Sequence, residues 1–259
     1  APPKPAPSGA PPLLALVGPT ASGKTALGIA LARALGGEII SADSQQVYRL
    51  LEIGTAKPTS EERAAVPHHL LDLADPAERL SAGEFARLAD QAIEGIRARG
   101  LLPIVVGGTG LWLRALLLGI VETPPADPQL RARLEREAES LGRPAMHARL
   151  AQLDPETAAQ IPPQNLVRVV RALEIHALTG QRPSELRASH GFGQLRYRAR
   201  VLGISPPREE LYRRIDRRAR AMFEAGLADE VRWLVERGLR DAPALRALAS
   251  SSSTTETAA

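Results

Sequence analysis

The chain contains no cysteine, which excludes a disulfide framework, thiolate metal ligation and a cysteine nucleophile together. Aromatic residues make up only 3% of it, so the core must be built from aliphatic side chains and alanine. Lysine is nearly absent: three of the 33 basic residues are Lys and the rest Arg. No apolar run approaches the roughly 18 residues that span a bilayer, and the N-terminal APPKPAPSGAPP lacks the apolar segment of a secretory signal. These absences predict a soluble cytoplasmic protein without a membrane partner.

What remains is ample for a folded domain. With 259 residues, 44% of them apolar, the chain can bury the core of one domain carrying an insertion. Its net charge is +4, but residues 160–222 hold 13 Arg against 5 acidic residues. That asymmetry points to a polyanionic partner. High-GC coding, which favours Arg, Ala and Leu, produces the same composition without one.

The predicted organisation alternates. After a Pro-rich, unstructured segment 1–12, Leu13–Val17 reads as a buried strand, Ala26–Leu35 as a helix and Glu38–Ser41 as a second strand. Ser81 and Glu84 form a capping-box pattern. Phe85, Leu88, Ala89, Ala92, Ile93 and Ile96 then recur on one helical face up to Gly100. Leu101–Val106 is a further strand, closed by a Gly107–Gly110 turn that feeds a helix over 111–118. Residues 127–190 show helical patterns only; Arg198–Ser205 is again a strand, and one long helix is predicted from Pro207 to Arg237. The expectation is an α/β fold, a P-loop NTPase-like parallel sheet with helices on both faces. Its core is 13–126 with 191–248, its helical insertion domain 127–190, and its low-complexity tail 249–259.

Gly18-Pro19-Thr20-Ala21-Ser22-Gly23-Lys24-Thr25 fits G-x-x-x-x-G-K-[ST] between a predicted strand and a predicted helix. Its backbone N–H groups and the helix N-terminus would cradle a diphosphate, Lys24 would neutralise the distal phosphate, and Thr25 would hold Mg²⁺. The strand ending at Val106 exits into Gly107-Gly108-Thr109-Gly110 without the carboxylate usual in ATPases and GTPases. Asp43, just past the second strand, is the carboxylate at the crevice. It reads either as a general base or as a turn cap. His68 and His69 are adjacent, a poor spacing for two ligands of one metal.

Taken in order, GPTASGKT, Asp43-Ser44-Gln45-Gln46-Val47-Tyr48, Gly54-Thr55-Ala56-Lys57-Pro58-Thr59, Pro67-His68-His69, Gly107–Leu111 and Arg168–Glu174 resemble the tRNA dimethylallyltransferases from about Leu13 to Arg246. The resemblance implies transfer of a dimethylallyl group from dimethylallyl diphosphate to N6 of adenosine 37, beside the tRNA anticodon. It implies that the P-loop grips the donor's diphosphate with Mg²⁺, that Asp43 takes the amine proton, and that Arg214 lies near the diphosphate. It places Ser41 to Ser44 at the adenine with Gln45 and Gln46 beside them. Thr109, Arg131, Val167, Arg168, Val169, Val170, Arg171 and Arg246 match tRNA-contact positions. The implied partners are the tRNA anticodon stem-loop and the prenyl donor, with the enzyme a monomer.

The chain departs from the family in three places. Trp112 stands where a Tyr is expected, Gln164-Asn165 replaces a Pro-Asn-Asp pattern, and ASSSSTTETAA replaces the C-terminal helices. The last departure predicts reduced stability and weakened tRNA affinity. A P-loop small-molecule kinase and an inactive RNA-binding relative are the competing readings.

Overall fold

The computed structural model describes residues 8–9, 12–121, 123–190 and 194–245. The chain divides into two units, one running to Gly119 and resuming at Gln194, the other Ile120–Gly193. The first is built on five parallel strands, β1 (Pro12–Val17), β2 (Gly37–Ala42), β3 (His68–His69), β4 (Leu102–Gly107) and β5 (Arg198–Gly203), in the order β3-β2-β4-β1-β5. Pro12, assigned to the unstructured segment by composition, already belongs to β1.

Helices α1 (Lys24–Leu35), α2 (Ser60–Ala65), α3 (Ala82–Ala98) and α4 (Gly110–Leu118) accompany these strands. Apolar runs form β1, β2 and β4 because both of their faces are covered, whereas β5 stays largely exposed. Leu13, Ala15, Ile40 and Val105 pack in one core with Phe85, Ile93, Ile96 and Leu116 of α3 and α4. Leu14, Leu16, Ile39 and Ile104 pack in another with Ala32 of α1 and Val66. The Ser81–Glu84 capping box is formed, with Glu84 N donating to Ser81 Oγ at 3.2 Å and Ser81 N to Glu84 Oε2 at 2.9 Å. Trp112 is buried and stacks on Phe85 with ring centroids 4.4 Å apart, so the residue that departs from the family pattern serves the core.

Register fixes where the site lies. Val17 and Ala42 both pair with Gly107, so β1, β4 and β2 end at one level and their exit turns gather at one edge, the ligand crevice of parallel sheets. Gly107 is obligatory there, because a Cβ would stand 2.2 Å from Ala42 O.

The second unit is helical: α5 (Pro128–Leu141), α6 (Arg143–Leu153), α7 (Pro155–Ala159), α8 (Leu166–Thr179) and α9 (Pro183–His190). Leu134, Met146, Leu150, Val169, Val170 and Leu173 form its own core. Asp154 caps α7, accepting Thr157 N at 3.0 Å and Ser184 N at 2.8 Å. Burial pushes its carboxyl pKa up, but these hydrogen bonds outweigh burial and hold it at about 2.

The first unit ends in α10 (Arg208–Glu224) and α11 (Leu227–Glu236). The single helix predicted over 207–237 is therefore two. Ala225 ends the first, and Gly226, at φ 99°, opens the second, a turn that a residue with a Cβ resists. No helix among the described residues is long and apolar enough to cross a membrane.

Candidate active site

The P-loop leaves β1 and closes onto α1 through Gly23 in the left-handed region, at φ 93°. A Cβ on Gly18 would stand 2.6 Å from Ile204 O, so the loop can pass the chain after β5 only with glycine there. Lys24 Nζ donates to Pro19 O at 2.5 Å, folding the lysine back over its own loop. Burial lowers the Lys24 pKa; Asp43 opposes that shift and Arg218 adds to it. Ser22 Oγ is buried without a hydrogen-bond partner.

These residues floor a cleft of about 440 Å³ whose other walls are Asp43, Gln46, Ala56, Glu62 and α10, the last through Arg214, Arg217 and Arg218. Arg214 is steered by Glu210, with Nε donating to Oε1 at 2.8 Å, and its Nη1 reaches Ser22 O at 3.5 Å. Arg213 turns to Glu210 at 3.0 Å and does not line the cleft. Arg217 and Arg218 were not singled out by sequence. Their signal is the spacing 214, 217, 218 and 221, which sets three guanidinium groups and a small Ala on one helical face. Burial lowers the Arg218 pKa while Asp43 raises it. A second, mostly apolar cleft borders the P-loop at Gly18-Pro19 and Gly107-Gly108, lined by Leu113, Leu117 and Leu118.

Asp43 follows β2 directly. Its Oδ1 accepts Gln45 N at 2.9 Å, leaving Oδ2 without a protein partner among the described residues. The carboxylate thus caps its own turn with one oxygen and keeps the other open. Thr109 Oγ1 accepts Ser44 N at 3.0 Å and donates to Ser44 Oγ at 3.3 Å. Ser41 Oγ donates to Gln46 Oε1 at 3.0 Å, and Gln46 Nε2 donates to Ala56 O at 3.0 Å. Gln45 Oε1 is buried without a partner.

The loop behind them is anchored by Lys57, whose side chain is 1% exposed between Asp72 at 2.5 Å and Glu52 at 3.0 Å; Arg63 binds the same two carboxylates. Glu230 of α11 accepts the N–H groups of Glu52, Ile53 and Gly54 at 2.8, 2.8 and 2.9 Å. Ala21, Leu50, Ala56, Leu70 and Asp72 all have positive φ, and two of them, Ala21 and Ala56, line the cleft itself. His69 pairs with Glu38 at 2.6 Å and His68 Nδ1 with Val66 O at 2.8 Å. Among the described residues no group of three or more His, Cys, Asp or Glu could hold a metal.

In the helical unit the expected contacts separate. Glu174 is fully buried and accepts Arg131 Nη2 at 2.5 Å, Arg171 Nη1 at 2.7 Å and Asp127 N at 2.9 Å. Arg171 also donates to Thr123 Oγ1 at 3.1 Å and Pro124 O at 2.8 Å. Arg168 stands exposed without a side-chain partner among the described residues, so the two arginines have different surroundings although they lie three apart on one helix. Val167 is 82% exposed, whereas Val169 and Val170 are core residues at 0% and 2%; no side-chain contact with a ligand is open to those two. Asn165 caps α8, its Oδ1 accepting Arg168 N at 3.3 Å, so the altered motif keeps its capping role. Arg246 lies outside the described residues.

The family model described as IPP transferase matches residues 46–253, and that described as isopentenyl transferase matches residues 11–79. The tRNA dimethylallyltransferase of Anaeromyxobacter sp. (strain K) is 65% identical over 225 residues, 87% of this chain and 73% of that protein. That of Myxococcus xanthus is 58% identical over 238 residues, covering 92% and 77%. Among solved structures, the full-length tRNA isopentenylpyrophosphate transferase of Bacillus halodurans superposes with a TM-score of 0.61 at 42% identity, over 95% of this chain and 78% of that one. A eukaryotic dimethylallyltransferase acting on tRNA superposes with a TM-score of 0.76 at 33% identity, over 88% and 56%.

Proposed function

The chain belongs to the tRNA dimethylallyltransferase (IPP transferase) family, and from that membership we propose that it transfers the dimethylallyl group of dimethylallyl diphosphate to N6 of adenosine 37, beside the tRNA anticodon. The observation that carries this reading is the sharing of one cleft by Asp43, the P-loop and three arginines of α10. No carboxylate occupies the β4 exit, Gly107-Gly108-Thr109, where a nucleotide hydrolase would hold its metal.

The N6–C1 bond forms as the C1–O bond breaks, so negative charge grows on the departing diphosphate. Lys24, Arg214, Arg217, Arg218 and the N–H groups opening α1 are placed to stabilise it. The proton released by N6 passes to Asp43, whose Oδ2 has no competing protein donor. The apolar cleft gives the prenyl chain and the extruded base a wall poor in water.

Mg²⁺ fits this site as an ion shared with the diphosphate, because Thr25 lines the cleft of about 440 Å³ beside Lys24 and Asp43. Thr25 would hold it together with diphosphate oxygens and water, and when bound it supplies further positive charge to the leaving group. The exposed Arg168 and Val167 are the best placed of the family-matched positions to meet tRNA. The reading takes the enzyme as a monomer that meets its tRNA substrate in the cytoplasm.

Incubating the protein with unmodified tRNA and either labelled dimethylallyl diphosphate or labelled ATP tests the reading. Label from the prenyl donor should enter tRNA. Turnover of ATP onto a small acceptor, with no prenylated tRNA, overturns it.

A further inference from the structure

His68 occupies a position that the reaction above leaves unused. It sits on β3, paired with Ile39 of β2, and its Nδ1 lies 2.8 Å from Val66 O. A carbonyl only accepts, so Nδ1 carries the ring proton and Nε2 of the neutral ring is an acceptor. Burial lowers the His68 pKa, against the Val66 hydrogen bond, which raises it. Nε2 is nevertheless buried with no donor in reach, an arrangement that folded proteins rarely leave unsatisfied.

His68 lines a cavity of about 30 Å³ together with Lys24, Thr25, Ser41, Asp43 and Gln46. That is room for one or two water molecules, and the walls supply the several polar partners a buried water needs. The same cavity borders the Asp43 carboxylate, whose Oδ1 alone is held by protein.

We propose that the cavity is a water site shared by His68 and Asp43, in which one water donates an O–H to His68 Nε2 and the other to the Asp43 carboxylate. His68 is then a positioning residue: through the water it fixes the carboxylate plane and keeps a lone pair directed at the adenine amine. This rests on the prenyl-transfer reading for its consequence but not for the water itself.

Two substitutions separate the two edges of the ring. H68Q keeps an acceptor at the Nε2 position and gives up the donor to Val66. H68N keeps a donor to Val66 but does not reach the cavity. In single-turnover transfer from labelled dimethylallyl diphosphate to unmodified tRNA, H68N should slow the chemical step roughly 10- to 100-fold at unchanged binding of both substrates, because a misoriented base loses about that much. H68Q should stay within about threefold of the parent, the acceptor position being preserved. The reverse order, equal rates, or loss in both variants overturns the water bridge. An inactive parent protein overturns the reading of function instead. Nitrogen NMR of the histidine-labelled full chain decides the water site in either case: His68 must show a protonated Nδ1 and a hydrogen-bonded, unprotonated Nε2, and a protonated Nε2 refutes it.

Discussion

Thr109 accepts a 3.0 Å hydrogen bond from the backbone N–H of Ser44, so the turn leaving β4 fixes the turn that carries Asp43. Removing the hydroxyl leaves that N–H unsatisfied in a part-buried place, at a cost of about 1–3 kcal/mol. T109V is expected to lower the melting temperature and to slow transfer more than it weakens tRNA binding, while T109S restores both. Equal losses in rate and affinity would show Thr109 acting on the tRNA directly.

Asp43 offers an open oxygen beside the cationic P-loop. D43A should bind tRNA as the parent does and transfer the prenyl group roughly 10²- to 10⁴-fold more slowly, the usual share of a positioned base. Near-parental single-turnover rates would remove it from the chemistry.

Arg168 and Arg171, three residues apart, should fail in different ways. R168A is expected to weaken tRNA binding and to reduce the slope of affinity against salt by about one phosphate contact, with no change in stability. R171A strips a partner from the buried Glu174 and should cost about 1–3 kcal/mol of stability, with Arg131 and Asp127 N limiting the loss. Melting curves beside salt titrations distinguish the two. Identical behaviour would return both arginines to one solvated face.

Asp154 gives the helical unit an acid dependence. Its folded pKa of about 2 lies below the ordinary 3.8. The stabilisation is therefore complete above about pH 5 and is lost as pH falls through 2, amounting to about 2 kcal/mol. In D154N, thermal stability should be lower at neutral pH and flatter across that window. An unchanged pH profile would mean that the cap contributes nothing as a charge.

Much of this was legible in the chain. Four of the five strands were, β1, β2 and β4 because short apolar runs bounded by glycine admit few other readings, and so was the P-loop, whose spacing is a signature of anion binding; β3 was not, because two adjacent histidines carry no strand signal. Gly226 was not: a helical pattern continues on both sides of it, and only its positive φ reveals the turn. The roles of Arg131 and Arg171 were hidden because the carboxylate that claims them comes from burial, which one-dimensional spacing does not report. Val169 and Val170 were assigned a surface task by resemblance, yet α8 buries both. For Asp43 the structure shows the turn cap, through one of its two oxygens; the general-base role rests on the resemblance and on the proposal above.

The three N–H groups that Glu230 gathers from residues 52–54 impose an order on biosynthesis. Parallel pairing of β1 with β5 joins residues 12–17 to 198–203, and the cleft's arginines come later still, on α10. The earliest-made part of the cleft therefore waits on elements made about 150 or more residues later, a late closure characteristic of sheets with distant partners. A nascent chain stalled before β5, or one cleaved between α9 and β5, carries the phosphate loop and the base but neither the cations of α10 nor the carboxylate that steadies residues 52–54. Such fragments are expected to transfer no prenyl group, since the cleft is complete only once the growing chain has returned to its starting strand.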